Sequence, residues 1–227
     1  MKYEILLFDV DDTLFDFGMS EEKALHNAFV KFGLPTGMTD YRADYKEISK
    51  VLWEDLEQGR ITLPELAVER FKRLIVKREL DINAQEFSGV YLDYLGRETH
   101  LIQGAVELCK SLADYRLAII TNGFTAAQTA RIENSPLSNT FEHIIMSQEA
   151  GFQKPDIGIF DYAFSKLQAT DKSKVLIVGD SLTSDIQGGI NYGIDTCWFN
   201  PHVKENQSGI KATYEIDRLM ELIEVLE

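Results

Sequence analysis

Ile5-Leu6-Leu7-Phe8-Asp9-Val10-Asp11-Asp12-Thr13-Leu14 is a short apolar run that passes straight into an acidic turn. Four consecutive apolar residues predict a strand buried on both faces. Carboxylates at the end of such a strand are costly unless they meet a cation or take part in chemistry. Strand side chains alternate, so Asp9 and Asp11 can project the same way. One could then attack while its neighbour handles protons, with a divalent metal between them. The run alone reads equally well as an ordinary strand-to-turn junction, where acids and Thr are common.

Four more apolar runs follow: Arg116 to Thr121, His143 to Ser147, Lys174 to Asp180 and Thr196 to Asn200. Helical patterns alternate with them at about Gly104 to Ala113, Thr125 to Asn134, Gly158 to Leu167 and Ser184 to Tyr192, and a last helix is expected over Asp217 to Leu226. That alternation predicts an α/β fold with a parallel sheet covered on both faces. The stretch from Phe17 to Leu95 differs, with no strand pattern and four helical segments: Ser20 to Phe32, Asp40 to Glu57, Leu63 to Lys77 and Ala84 to Leu95. Ser20 is a candidate start for the first, and Thr62-Leu63-Pro64-Glu65 fits a capping box with Pro in the first turn of the third. An all-helical block inserted after the first strand is expected to overhang the carboxyl ends of the strands, where α/β proteins bind ligands.

The 227 residues suffice for one large domain carrying a smaller insert, and 44% hydrophobic with 26% charged residues is ordinary for a soluble protein. No apolar run reaches the length of a membrane span, and no secretory signal pattern is present, so a cytoplasmic protein without membrane attachment is expected. Cys109 and Cys197 are far apart and lack CxxC spacing, which predicts buried thiols. A net charge of −14 argues against a nucleic-acid polymer as partner. A small phosphorylated ligand remains compatible, because a metal ion and one lysine can reverse the field inside a cleft.

Three further segments carry chemistry. Thr121-Asn122-Gly123 ends a strand and can present a hydroxyl and backbone N–H donors to an anion, or simply cap the next helix. Lys154-Pro155 lies on a loop leading into a helix. Gly179-Asp180-Ser181-Leu182-Thr183-Ser184-Asp185 repeats the opening logic of an apolar strand tipped with carboxylates. Its hard oxygen donors suit Mg²⁺, although Asp185 alone could be a helix-terminal acid.

The order of these pieces (DxDxT, TN, KP, then GDxxxxD) resembles the haloacid dehalogenase-like (HAD) hydrolase superfamily. The resemblance implies a Rossmann-like, doubly wound core over residues 1–16 and 96–227 and a C1-type helical cap over 17–95. It implies Asp9 as the nucleophile forming an aspartyl phosphate, and Asp11 as the acid/base. Thr121 and Asn122 would hold phosphoryl oxygens, and Lys154 would neutralise charge at the transferring group. Mg²⁺, with Mn²⁺ able to substitute, would be held by Asp9, Asp11 through its carbonyl, Asp180 and Asp185. Asp12 and Asp16 read as turn residues, and Thr13 as a support for the loop.

The whole chain is further similar to the YjjG-type pyrimidine 5′-nucleotidases, in segments that include Lys50 to Trp53, Glu69 to Phe71, Ile120 to Thr125, Asp185 to Ile190 and Thr196 to Asn200. That similarity implies a nucleoside monophosphate as partner and a monomer or weak homo-oligomer. In the cap, Trp53 could stack on a base and Arg70 hydrogen-bond it. Against this, an aromatic on an amphipathic helix is usually core and a helical arginine usually a solvated face. The alternatives are a phosphatase of another small metabolite such as a sugar phosphate, a 2-haloacid dehalogenase, and a protein that binds a phosphorylated ligand without turnover. Dehalogenase members lack the second Asp and need no metal, so Asp11 argues for phosphate-ester hydrolysis.

Overall fold

The structure, a computed structural model, describes residues 2–227. Six parallel strands form one sheet: β1 (Ile5–Phe8), β2 (Arg116–Thr121), β3 (His143–Met146), β4 (Val175–Gly179), β5 (Asp195–Phe199) and β6 (Tyr214–Ile216). Their order is β3-β2-β1-β4-β5-β6, a doubly wound arrangement in which the chain reverses its direction of travel across the sheet at β1. Phe8 is in register with Ile119 of β2 and Val178 of β4. The residues just beyond Phe8, Ile119 and Val178 therefore meet at one end of the sheet.

Helices in chain order are α1 (Phe17–Lys31), α2 (Gly37–Glu57), α3 (Leu63–Lys77), α4 (Ala84–Leu95), α5 (Ala105–Ser111), α6 (Thr125–Glu133), α7 (Ser147–Ala150), α8 (Ile157–Leu167), α9 (Gln187–Tyr192) and α10 (Leu222–Leu226). None is long and apolar enough to cross a membrane. The chain divides into two compact units. One comprises the segment ending at Phe17 with His100–Thr125 and Ile132–Glu227; the other comprises Gly18–Thr99 with Ala126–Arg131.

In the first unit both faces of the sheet are covered, which is why its strands read as unbroken apolar runs. Leu6 and Phe8 face a cluster with Leu108 of α5 and Leu222 and Leu226 of α10. Ile5 and Leu7 face Ile159, Phe160, Ala163 and Phe164 of α8. Gly189 of α9 permits that helix to sit close on the sheet, since a Cβ there would lie 2.5 Å from the Thr196 methyl and 2.7 Å from an Ile177 methyl. Cys109 on α5 and Cys197 on β5 are free and buried, and burial pushes both thiols up to about 12.

The second unit contains α2, α3, α4 and all of α1 but its first residue, around an aromatic core. Phe71 lies 4.9 Å from Phe87, 5.2 Å from Tyr91 and 5.6 Å from Tyr45, ring centre to ring centre. The expected capping box is present: the Glu65 N–H donates to Thr62 Oγ1 while Glu65 Oε2 accepts from the Thr62 N–H. Ser20 is not a helix start. It lies one turn inside α1 and is buried; the helix begins at Phe17, whose N–H donates to Asp12 Oδ1. Three short elements were not predicted: β6, α7 and a 3₁₀ turn over Lys172–Lys174. The expected terminal helix is broken into a 3₁₀ turn (Leu219–Glu221) followed by α10.

Candidate active site

Asp9 follows the central strand, and its N–H donates to the Val178 carbonyl of β4. The chain then turns sharply, with the N–H groups of Leu14 and Phe15 both donating to the Val10 carbonyl. Asp12 accomplishes that turn with a positive φ of 58°, which Asp tolerates better than most residues. Its role as a turn residue matches the expectation. Asp11, half-buried on the same loop, bridges to Phe15.

Lys154 is 1% exposed and reaches the strand ends from its loop. Its ammonium donates to Asp9 Oδ1 (2.6 Å), Asp185 Oδ1 (2.6 Å) and the Ile120 carbonyl (2.7 Å). An ammonium has three N–H donors, so these acceptors use all of them. The Asn122 side chain fixes the Lys154 backbone at two points, Oδ1 accepting from its N–H (2.8 Å) and Nδ2 donating to its carbonyl (2.9 Å). The Asn122 side chain is thus committed to Lys154. Thr121, buried on β2, accepts the Gly123 N–H at its hydroxyl.

After β4 the chain enters a π-helical turn, Leu182–Ile186, where a simple helix start was expected. That turn brings Asp185 back against Gly179, where a Cβ would lie 2.3 Å from the carboxylate; only glycine leaves the space. The Asp185 side chain is held at both oxygens, by Lys154 and by the Ser181 N–H (3.0 Å). Asp180 is half-buried, and its carbonyl accepts from the Trp198 indole N–H (2.8 Å). Asp9, Asp180 and Asp185 each present a carboxylate oxygen, all within 4.8 Å of one another.

Burial pushes Asp9 up to about 7, with Asp185 and Asp11 adding to the effect and Lys154 opposing it. Burial together with Asp185, Asp9 and Asp12 holds Asp180 well above the carboxylate range. Burial also works against the Lys154 charge, but Asp185 and Asp9 outweigh it and keep the ammonium protonated. Lys154 therefore contacts two of three clustered carboxylates, Asp9 and Asp185. Such a hard-oxygen set fits Mg²⁺.

The sign of the resulting pH dependence follows from linkage. An acid whose folded value is raised binds more protons folded than unfolded, so it lowers stability as pH climbs between the two values. For Asp9 that interval runs from 3.8 to about 7. The metal-free protein is expected to lose thermal stability across it, and saturating Mg²⁺, which favours the ionised carboxylates, to remove the slope. Thermal unfolding from pH 4 to pH 8, with chelator and with Mg²⁺, measures both. Matching profiles in the two conditions would contradict the reading.

The two cap candidates lie in the helical unit. Trp53 is half-buried on α2. Arg70 is not on a solvated face: at 1% exposure it packs 4.7 Å from the Tyr91 ring, and its Nη1 donates to the Tyr45 hydroxyl (3.3 Å). The Tyr45 hydroxyl donates in turn to Glu21 (3.0 Å). Sequence reasoning did not find Ser181, Trp198 or the Ile120 carbonyl, since each acts through a backbone group or on one.

The haloacid dehalogenase-like hydrolase family matches residues 3–193, and the chain belongs to that family: it is a hydrolase. It is 38% identical to the pyrimidine 5′-nucleotidase PynA of Streptococcus pneumoniae, over 100% of this chain and 96% of that protein. It is 35% identical to the pyrimidine 5′-nucleotidase YjjG of Escherichia coli, over 100% and 99% respectively. The crystal structure of the HAD-hydrolase YfnB from Bacillus subtilis bound to magnesium matches with a TM-score of 0.93 at 38% identity, covering 100% of both chains.

Proposed function

We propose that this protein is a Mg²⁺-dependent phosphomonoester hydrolase that cleaves pyrimidine nucleoside 5′-monophosphates. The observation that carries the chemistry is Asp9, buried at the end of β1, hydrogen-bonded to Lys154 and within Coulombic reach of Asp11. The substrate class rests on the similarity to PynA and YjjG.

Asp9 Oδ attacks phosphorus, the ester P–O bond breaks, and Asp11 gives a proton to the departing alkoxide. Asp11 then takes a proton from the water that attacks the aspartyl phosphate, and the bond from phosphorus to Asp9 breaks. The products are the nucleoside and inorganic phosphate, with both carboxyls returned to their starting state. Mg²⁺ held by Asp9, Asp180, the Asp11 carbonyl and Asp185, the last directly or through water, would supply positive charge against the phosphoryl oxygens. Asp185 also holds Lys154 and the turn after β4. Lys154 keeps Asp9 aligned and balances its charge rather than spending a donor on the substrate. Thr121 and the Asn122 N–H receive phosphoryl oxygens.

Steady-state assays with Mg²⁺ against a panel of UMP, dUMP, dTMP, purine nucleotides and sugar phosphates test this. The pyrimidine nucleotides are expected to give the highest kcat/KM. Hydrolysis of sugar phosphates without hydrolysis of nucleotides would overturn the substrate class and leave the chemistry standing.

A further inference from the structure

Lys154 grips two members of the carboxylate trio, Asp9 and Asp185. The third, Asp180, is oriented through its backbone. We infer that Trp198 of β5 is the positioning residue of the metal site: its indole N–H sets the backbone of Asp180, and thereby the affinity for Mg²⁺, without touching substrate. This deepens, and rests on, the Mg²⁺-dependent phosphatase reading above.

Strand alternation puts the indole in place. Cys197 and Phe199 face the cluster that contains Leu108 and Leu222, so Trp198 between them projects from the other face of the sheet. It is in register with Gly179, the last residue of β4. At 5% exposure, an indole N–H needs an acceptor. It takes the Asp180 carbonyl, one residue past the strand, at 2.8 Å. A buried tryptophan satisfied at a strand end is by itself ordinary packing.

What sets this contact apart is the peptide group it holds. The Asp180 carbonyl and the Ser181 N–H belong to one planar unit. The Ser181 N–H donates to Asp185 Oδ2 (3.0 Å) while the carbonyl accepts the indole. One peptide plane is thus clamped from both sides, by a carboxylate of the trio and by Trp198. With Gly179 held in the pairing of β4 and β5, the backbone is fixed on both sides of Asp180. Its carboxylate keeps only its own side-chain rotations. The clamp keeps Asp180 within 4.8 Å of Asp9 and Asp185, although like charges at that range repel. A ligand whose backbone is fixed before a cation arrives loses little freedom on binding it. Phenylalanine at 198 would fill most of the same space and leave the Asp180 carbonyl without its donor.

The test uses the full chain with Trp198→Phe, and with Trp198 replaced by benzothienylalanine, whose sulfur removes the N–H at nearly unchanged shape. Phe199→Leu, which removes a buried ring on the opposite face, is the packing control. Calorimetric titration of the metal-free proteins with Mg²⁺ alone is expected to give a Kd about tenfold higher in both Trp198 variants, the low end of what loss of an outer partner costs a metal site. The Mg²⁺ concentration for half-maximal hydrolysis should rise in parallel. At saturating Mg²⁺, kcat and KM for the best panel substrate should stay within about twofold of wild type. Phe199→Leu should lower thermal stability and keep the wild-type Mg²⁺ affinity. If Trp198→Phe fails to fold, the benzothienylalanine protein decides alone. A wild-type Mg²⁺ affinity without the indole N–H, a loss confined to kcat, or an equal loss of affinity in Phe199→Leu would each overturn the inference. A wild type that binds Mg²⁺ yet hydrolyses no phosphomonoester would overturn the phosphatase reading instead, and the Mg²⁺ titrations would still decide the role of Trp198.

Discussion

Asp9→Asn is expected to reduce turnover of a pyrimidine nucleoside monophosphate by roughly 10⁴- to 10⁶-fold, the scale of losing an enzymatic nucleophile. The substitution preserves shape and still offers Lys154 an acceptor in place of Asp9 Oδ1. What disappears is the charge that attacks phosphorus and would hold a cation. Burial and the neighbouring acids already push the Asp9 carboxyl up to about 7, so the folded, metal-free protein disfavours its ionised form. A neutral amide removes that penalty. Without metal at pH 8, the variant is therefore expected to be at least as thermally stable as wild type and to gain less from added Mg²⁺. Turnover, and unfolding with and without chelator, together separate a chemical role from a structural one. Retention of more than about one per cent of wild-type kcat would remove Asp9 from the nucleophile's role, whatever the stability.

Much of the architecture was legible because the sheet is buried on both faces. Ile5 to Phe8 and Val175 to Gly179 are unbroken apolar runs, and Arg116 to Thr121 was bounded to the residue. α3 and α4 were equally legible, with Thr62 and Asn83 capping their starts. β6 was not, because three residues at the edge of a sheet carry too little periodicity; Tyr214 and Glu215 remain at least partly exposed. The π-helical turn was hidden for another reason. It exists because Gly179 leaves room for the Asp185 carboxylate, a relation between a strand end and a turn that no local pattern records.

At the site, residue types announced themselves and their connections did not. Asp9, Lys154, Asp180 and Asp185 were named from order and spacing, and the fold brings them together. That all three Lys154 donors are occupied depends on the Ile120 carbonyl, and a carbonyl has no signature in sequence. The same holds for Asn122 and Asn200, whose side chains each grip the backbone of a lysine far along or just ahead in the chain. Arg70 was misread as a solvated helix face because helical position alone does not disclose that Tyr45, Phe71 and Tyr91 surround it. A buried arginine beside a hydroxyl network belongs first to the packing of its own unit.

Asp11→Asn is expected to act on the leaving group, and so to depend on which ester is offered. A nucleoside leaves as a poorly stabilised alkoxide and needs the Asp11 proton, so its turnover should fall by about 10²- to 10⁴-fold. p-Nitrophenol leaves without assistance, and transfer of its phosphoryl group to Asp9 should survive. The second half-reaction would still lack its base. The variant should therefore release about one equivalent of nitrophenol in a rapid burst and then turn over slowly, as phosphorylated Asp9 accumulates. Rapid-mixing absorbance reads the burst, and intact-protein mass spectrometry the added phosphoryl group. Asp11 lies in the Coulombic surroundings of Asp9 but outside the carboxylate trio of Asp9, Asp180 and Asp185. Its substitution should accordingly leave Mg²⁺-dependent stabilisation largely intact, which distinguishes it from Asp9→Asn. Equal losses on both esters, with no burst and no phosphoenzyme, would assign Asp11 to holding the loop. Loss of the nucleotide activity with survival of the burst would establish that the second acid of the opening run moves protons, the step a phosphate ester demands and a departing halide does not.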